Sequence, residues 1–253
     1  MTIALASAWH PRGELARFLA SRDKVGELYA PIVVSVPPHT TGDVVTALEH
    51  ADVTVVVTRD WTEGRHAALL KILDTDATHV HYIDFDRLLH WLELYPEELK
   101  NTVARVERCD CLIVGRTPRA YRTHPRALVE TEAISNLVTS HLLGHALDFS
   151  AGSKGFSRRA VECLRASSPP GRAMGVDAEW PLLLQRAGFT IEYLEAEGLE
   201  WESADHFASQ AADELGQQRA AEKYDADPAH WARRIEVALE IIQAGLDVAR
   251  RNG

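Results

Sequence analysis

The first half of the chain alternates short β-branched or apolar runs with segments of helical periodicity. Strands are expected at residues 3–7, 31–36, 53–58, 79–83 and 111–114. Such alternation is typical of strands joined by crossover helices in a parallel sheet. The runs are apolar nearly throughout, as expected for a sheet with helices on both faces. The sequence therefore predicts an α/β fold with a mostly parallel central sheet.

The remaining segments complete this outline. Helical patterns occupy residues 13–21, 63–73, 128–147, 177–187 and 231–250, another helix begins at Gly42, and a further strand is expected at 190–194. Residues 115–126 have no period and carry four arginines, which predicts a basic loop. A chain of 253 residues, 46% hydrophobic, suits one large domain. We expect a catalytic domain at 1–205 and a C-terminal helical extension at 206–253 packed on it.

Charge and composition limit the function classes. The formal net charge of -10 argues against an extended nucleic-acid interface, which needs clustered Lys and Arg. Cys109, Cys111 and Cys163 are too few for a disulfide framework and are expected to be reduced thiols. No apolar run approaches the roughly 20 residues that span a bilayer, and no signal peptide is recognised, so a cytoplasmic location is expected.

The tripeptide Asp84-Phe85-Asp86 carries the clearest chemical signal. It follows the fourth expected strand, at the carboxyl end where ligands bind in open α/β sheets. Two carboxylates there can hold a divalent cation such as Mg²⁺ or Mn²⁺, which prefers oxygen ligands and bridges to phosphates. The alternative is a solvated strand end at which Asp86 caps the next helix.

Two flanking segments support a nucleotide site. Upstream, residues 60–66 open the helix that leads into the fourth strand, and they place backbone N–H groups and Arg65 where a diphosphate can lie. Downstream, Asp177 and Glu179 form an acidic pair at a helix start, and that helix ends near Gly188.

In this order of elements the chain resembles the glycosyltransferases of the GT-A fold over about residues 3–195. The closest local matches are residues 82–86 and the segment 177–188, which is similar to the Glu-Asp segment of family 2 enzymes. The resemblance implies a hexosyltransferase that uses Mn²⁺ or Mg²⁺ and moves a sugar from a UDP- or GDP-sugar to a hydroxyl group of a small molecule or glycan.

The resemblance also implies roles for single residues. Asp86 would ligate the metal, and Asp84 would contact the ribose or the metal's water shell. The pair Asp177 and Glu179 would be catalytic, with Asp177 as the base that takes the acceptor's proton. One departure is Val176, which occupies the place where those enzymes usually carry Glu, so inversion of configuration is left open.

Further candidates each have a structural alternative. Ser7, Ala8, Trp9 and His10 follow the first strand, where this fold binds the nucleoside, although Trp9 can equally pack the rim. Lys154, between two glycines, can reach a phosphate or the acceptor, or lie in an exposed turn. His206 lies where some GT-A enzymes place a third metal ligand, with Asp205 beside it, but a lone histidine is often structural.

Two charged segments are weaker candidates for the site. The arginines of residues 115–126 can clamp a diphosphate or an anionic acceptor. The acidic stretch of residues 195–202 can help to hold a metal, but a solvated face is expected there.

Three other functions remain open on the sequence alone. A phosphohydrolase of the haloacid dehalogenase type shares the Ile83 to Asp86 pattern, but it carries this motif near the chain start and continues with Gly-Thr instead of Arg87-Leu88. A sugar-phosphate nucleotidyltransferase would need a glycine-rich loop after the first strand. A catalytically silent binding or assembly module is the third alternative, with the terminal helix as a homodimer surface.

Overall fold

The computed structural model describes residues 2–205 and 210–251. In this part of the chain seven strands form one sheet, in the order β3-β2-β1-β4-β6-β5-β7. The strands are β1 (Ile3–Ala8), β2 (Ile32–Val36), β3 (Val53–Val57), β4 (His79–Ile83), β5 (Cys111–Arg116), β6 (Ser153–Ser157) and β7 (Ile191–Ala196). Only β6 runs antiparallel to its described neighbours, so the predicted mostly parallel sheet is confirmed.

The described residues form eleven α-helices around this sheet. They are α1 (Leu15–Leu28), α2 (Gly42–His50), α3 (Gly64–Lys71), α4 (Phe85–Leu94), α5 (Pro96–Val106), α6 (Pro118–Thr123), α7 (Arg126–Leu143), α8 (Arg158–Ser167), α9 (Val176–Arg186), α10 (Glu214–Asp225) and α11 (Pro228–Arg250). None of these helices combines the length and the apolar character needed to cross a bilayer.

Each face of the sheet has its own hydrophobic core. On one face Phe18 of α1, Leu88 of α4 and Leu99 of α5 pack with alternate residues of β1 and β2. On the other face, Leu69 of α3 and Trp180 of α9 belong to a second core with the intervening strand residues. Because successive strand residues point to opposite faces, continuous apolar strands fill both cores.

The C-terminal helix packs on the same body. Asp227 caps α11 through a hydrogen bond from the Ala229 amide at 2.9 Å, and Pro228 takes the first helical position. Val237, Ile241 and Val248 of this helix are buried, and α11 contacts α7 and α9. The expected terminal helix is therefore present, while the boundary between residues 205 and 206 stays a prediction.

The expected basic loop at residues 115–126 is wrong. Strand β5 continues to Arg116, and Thr117 begins α6 by accepting a hydrogen bond from the Ala120 amide at 3.1 Å, with Pro118 in the first turn. Arg116 is buried, and its guanidinium bonds Asp148 and Glu132 at 2.7 Å each. The arginines suggested a solvated loop because the carboxylates that pair with them lie far along the chain.

Candidate active site

A cavity of about 480 Å³ opens at the carboxyl ends of β1, β2 and β4. The residues around it come from the ends of β1 and β2, from residues 58–65, from the start of α4, from residues 128 and 173–174, and from the C-terminal segments. The residues used below that line it are Ala8, Trp9, His10, Gly64, Arg65, Asp84, Asp86, Arg87, Trp201, Glu202 and Arg234. Ligands bind at this edge in open α/β sheets, so its position matches the expected nucleotide site.

The tripeptide joins β4 to α4. Asp84 stands at the N-cap position with extended backbone angles, while Phe85 and Asp86 begin the helix. Phe85 is fully buried and packs on Trp9 and Phe18, with ring centroids 4.6 Å and 5.1 Å away. This anchor fixes the start of α4 while Asp84 and Asp86 line the cavity. Asp86 also lies where the helix dipole favours a negative charge.

A chain of buried charges lies beside Asp84. Arg65 of α3 donates to Asp84 Oδ2 at 2.8 Å and to Asp177 Oδ2 at 2.9 Å. Lys154 Nζ donates to Asp177 Oδ1 at 2.6 Å, and the Tyr82 hydroxyl donates to Asp84 Oδ1 at 2.8 Å. The charges alternate from Lys154 to Asp84, and the network fixes Arg65 at the cavity wall.

The electrostatics of Asp177 follow from these contacts. Burial alone raises the pKa of a carboxyl group, but the Lys154 ammonium and the Arg65 guanidinium outweigh it and lower the pKa of Asp177. Both carboxylate oxygens already accept charge-assisted hydrogen bonds, and the side chain is only 2% exposed. Asp177 is therefore an ionised support for Arg65.

The expected catalytic pair is corrected by this arrangement. Asp177 does not line the cavity and cannot meet an acceptor hydroxyl there without breaking two ion pairs. Glu179 is fully buried, accepts a hydrogen bond from the Ser168 hydroxyl at 2.6 Å, and also lies outside the cavity. The sequence placed both acids at a helix start but did not show which way they face.

The other expected binding residues divide into two groups. Ala8, Trp9 and His10 line the cavity, although Trp9 is 5% exposed and packs mainly on Phe85, as its structural alternative proposed. Ser7 is buried and donates to the Ile83 carbonyl at 2.6 Å, and Lys154 is 1% exposed and held by Asp177. These two residues therefore support the site from within the fold and do not reach a ligand.

Metal ligation was expected at Asp84, Asp86 and His206. Asp84 and Asp86 both line the cavity, while His206 lies outside the described residues. Across residues 2–205 and 210–251, no three His, Cys, Asp or Glu side chains are grouped closely enough to form a metal cage. Two carboxylates at a cavity wall still fit Mg²⁺ or Mn²⁺, which commonly binds through one or two carboxylates and substrate phosphates.

Two other groups of charged residues do not reach this cavity. Asp205 is buried in ion pairs with Arg17 at 3.2 Å and His90 at 2.7 Å. Arg116 and Arg119 are paired with carboxylates elsewhere, so the expected clamp by the arginines of residues 115–126 is wrong for this cavity.

The structure also places in the cavity wall two residues that the sequence did not assign to the nucleotide site. Glu202 and Arg234 line the cavity, and Glu202 is 4% exposed instead of lying on a solvated face. Arg87 Nε lies 3.7 Å from Glu202 Oε1, which brings the start of α4 next to the C-terminal segment. In the sequence, Trp201 lies within the acidic stretch, and an apolar residue there indicates that part of the stretch is buried.

Comparisons with known proteins identify the fold. The chain is similar to glucosyl-3-phosphoglycerate synthase from Mycobacterium tuberculosis in complex with phosphoglyceric acid, at 16% identity over 93% of this chain and 80% of that chain, with a TM-score of 0.55. A complex of that synthase with Mn²⁺, uridine diphosphate and phosphoglyceric acid matches at 17% identity over 92% of this chain and 78% of that chain, with a TM-score of 0.51. A further mycobacterial protein matches at 15% identity over 92% of this chain and 75% of that chain, with a TM-score of 0.53.

No family model and no curated protein sequence matches the chain. At such low identity the structural similarity establishes the fold and leaves the reaction to be argued from the site. The strand order, the helices on both faces and these neighbours confirm the prediction that the chain has the GT-A fold.

Proposed function

We propose that this chain is a glycosyltransferase that moves a hexosyl group from a UDP- or GDP-sugar to a hydroxyl group of a small molecule or glycan. The observation that carries the proposal is the cavity at the carboxyl ends of the strands, where Asp84, Asp86 and Arg65 converge. The M. tuberculosis synthase of the same fold has been solved with Mn²⁺ and uridine diphosphate, which supports a nucleotide and a divalent cation here.

The side chains suggest how a donor would lie. The start of α3 at Gly64 and the guanidinium of Arg65 present positive charge to the cavity, which suits a diphosphate. Ala8, Trp9 and His10 bound the part of the cavity proposed for the nucleoside. Mn²⁺ or Mg²⁺ held by Asp86, with Asp84 beside it, would offset the negative charge of the leaving nucleoside diphosphate.

Nucleotide titration tests this function directly. UDP and GDP are titrated into the wild type and into Asp86→Ala, with and without Mn²⁺, by calorimetry. We expect Mn²⁺ to tighten binding to the wild type, and Asp86→Ala to weaken the Mn²⁺-dependent binding by at least about tenfold, or 1.4 kcal/mol. Asp76→Ala is the matched control, since Asp76 is exposed and precedes β4 at the opposite edge of the sheet.

The competing functions give different results in the same preparation. Nucleotide release from UDP-glucose or GDP-mannose supports transfer, whereas binding without turnover supports a silent module. Pyrophosphate release from a nucleoside triphosphate and a sugar phosphate indicates a nucleotidyltransferase, and phosphate release from simple phosphomonoesters indicates a hydrolase. If Asp86→Ala keeps full Mn²⁺-dependent affinity, the proposed nucleotide site is wrong.

A homodimer and a cytoplasmic location are further parts of the proposal. Ile134 and Leu137 of α7 and Ile235 and Leu239 of α11 are each more than half exposed, on two helices that pack together. Exposed apolar residues of this size favour association when they are contiguous. Light scattering of the purified chain measures its oligomeric state.

A further inference from the structure

The cavity needs a group that can take a proton from the acceptor, and the expected pair does not supply it. Asp177 and Glu179 are buried outside the cavity, as described above. Of the described residues lining the cavity, the carboxylic acids are Asp84, Asp86 and Glu202. The first two belong to the nucleotide and metal end under the proposed function. Glu202 comes from the C-terminal segment and has no role in that function.

Two buried acids, Glu179 and Glu202, each have a carboxylate oxygen without a hydrogen-bond partner among the described residues, and of these two it is Glu202 that lines the cavity. It begins the short helical turn Glu202–Asp205 and is 4% exposed. Its Oε2 is buried and has no hydrogen-bond partner among the described residues. Its Oε1 lies 3.7 Å from Arg87 Nε, which is too long for a hydrogen bond. A buried oxygen left in this state costs about 1–3 kcal/mol or more.

A substrate hydroxyl would complete this site. The unpartnered oxygen of a carboxylate accepts a hydrogen bond, so the missing partner is a donor. Arg87 bonds the Ala151 carbonyl through Nη1, and its Nε lies 3.7 Å from Glu202 Oε1, so it holds a positive charge beside the carboxylate without satisfying either oxygen.

We propose that Glu202 is the catalytic residue that accepts the proton of the acceptor hydroxyl. This inference rests on the proposed glycosyl transfer. As the acceptor oxygen forms its bond to the anomeric carbon, its O–H bond breaks and the proton passes to Glu202. The bond between the anomeric carbon and the diphosphate oxygen breaks at the same time, and its electron pair leaves with the nucleoside diphosphate.

The test compares Glu202→Gln with the wild type. UDP-glucose and GDP-mannose serve as donors, with water as the acceptor, and release of the nucleoside diphosphate is followed. We expect Glu202→Gln to lower kcat by about 10²–10⁴-fold, the usual contribution of a general base. The dissociation constant of UDP or GDP with Mn²⁺ should stay within about twofold, because the proposed contact of Glu202 is with the acceptor and not with the nucleotide. Glu195→Gln, an exposed acid on β7, is the matched control and should keep wild-type kcat.

Two further readouts separate catalysis from a structural role. Formate should restore part of the turnover of Glu202→Ala, since a small carboxylate can enter the space of the missing side chain. If the concerted step is an in-line displacement, the sugar first released should also have the opposite anomeric configuration to the donor. Proton NMR of the fresh product shows this configuration before it equilibrates.

Failure of the role of Glu202 can be distinguished from failure of the proposed glycosyl transfer. If the wild type releases nucleotide and Glu202→Gln keeps kcat within threefold, the role of Glu202 is wrong while glycosyl transfer stands. Retention of configuration overturns the in-line step, and the kcat of Glu202→Gln then decides the role of Glu202. If the wild type turns over neither donor, both proposals fail.

Discussion

Arg65 shows how a single buried side chain can determine the shape of this site. Its guanidinium donates to Asp84 on the cavity side and to Asp177 on the interior side, while Lys154 neutralises the far oxygen of Asp177. Arg65 and Asp177 are separated by 112 positions in the sequence. The ion pair therefore joins α3 to α9 and sets the position of the one cation expected to meet the diphosphate.

Asp177→Asn tests whether this residue supports Arg65 or acts as the base. Removing one partner of a buried ion network leaves Arg65 and Lys154 undercompensated, so we expect the free energy of unfolding to fall by about 3–5 kcal/mol. Urea unfolding measures this change, and affinity for UDP with Mn²⁺ should fall as Arg65 loses its position. Asp76→Asn, at an exposed site, is the control. Unchanged stability with a collapse of kcat would instead restore Asp177 as the base.

At the residue scale, the sequence could predict the element on which a side chain lies but not the way in which that side chain points. The apolar run of β4 placed Asp84 and Asp86 at the strand's end, and both line the cavity. Asp177 and Glu179 were placed on the correct helix, yet both point into the protein because Lys154 and Ser168 lie there. Glu202 was expected on a mostly solvated acidic stretch, because the sequence does not show that Arg87 lies 3.7 Å from its carboxylate.

At the element scale, the strands were predicted more accurately than the helices between residues 85 and 126. Strand β4 was placed at its observed bounds because β-branched and aromatic residues continue to the acidic tripeptide. Helices α4 and α5 were not recognised because they adjoin at Tyr95 and Pro96, and their apolar faces meet a core built from distant strands. The periodicity of one segment does not show where a helix ends and the next begins when the two directly adjoin.

Helix α11 offers a test of packing at this scale. Ile241 is 1% exposed and belongs to a small core with Val237 and Ala178 of α9. Ile241→Ala removes buried carbon atoms and leaves a cavity, so we expect the free energy of unfolding to fall by about 2–5 kcal/mol. Ile235, on the same helix, is 59% exposed. At a concentration at which light scattering shows a monomer, Ile235→Ala should change stability by no more than about 0.5 kcal/mol.

Equal effects in the two isoleucine variants would contradict the observed packing of α11. Urea unfolding followed by tryptophan fluorescence measures both, because several buried tryptophans report on the same cores. A large effect confined to Ile241 would show that the C-terminal helix contributes to the stability of the whole fold.

At the scale of the whole molecule, the active-site region is built from segments that are distant in sequence. The segment after β1, the starts of α3 and α4, and the C-terminal segment around Glu202 meet at one edge of the sheet. A mostly parallel sheet could be expected from the alternating pattern, since crossover connections join parallel strands. The order of the strands, with antiparallel β6 between β4 and β5, was not predicted. The way in which the C-terminal segment closes the cavity could not be expected either, because it depends on ion pairs across the molecule.

One of these long-range clusters should make stability depend on pH. Burial lowers the pKa of His90, but its hydrogen bonds to Asp205 and Glu200 outweigh burial and raise the pKa from 6.5 to about 9. A raised pKa means that this stabilisation is complete below about pH 6.5 and is lost as the pH rises through about 9. We therefore expect the free energy of unfolding of the wild type, measured with urea, to fall by up to roughly 3 kcal/mol between pH 6 and pH 9.5.

The variant His90→Gln should be less stable than the wild type at pH 6. Its free energy of unfolding should fall less over the same range, since residue 90 then carries no titrating group. The buried His81 has a pKa lowered to about 3 by burial and stays neutral in the folded protein, so it disfavours folding below about pH 6.5, where its unfolded form binds a proton, and it adds nothing to the loss at higher pH. Parallel curves of unfolding free energy against pH for the two proteins would show that His90 is not charged in the folded state. The contacts of His90 with Asp205 and Glu200 would then be neutral hydrogen bonds.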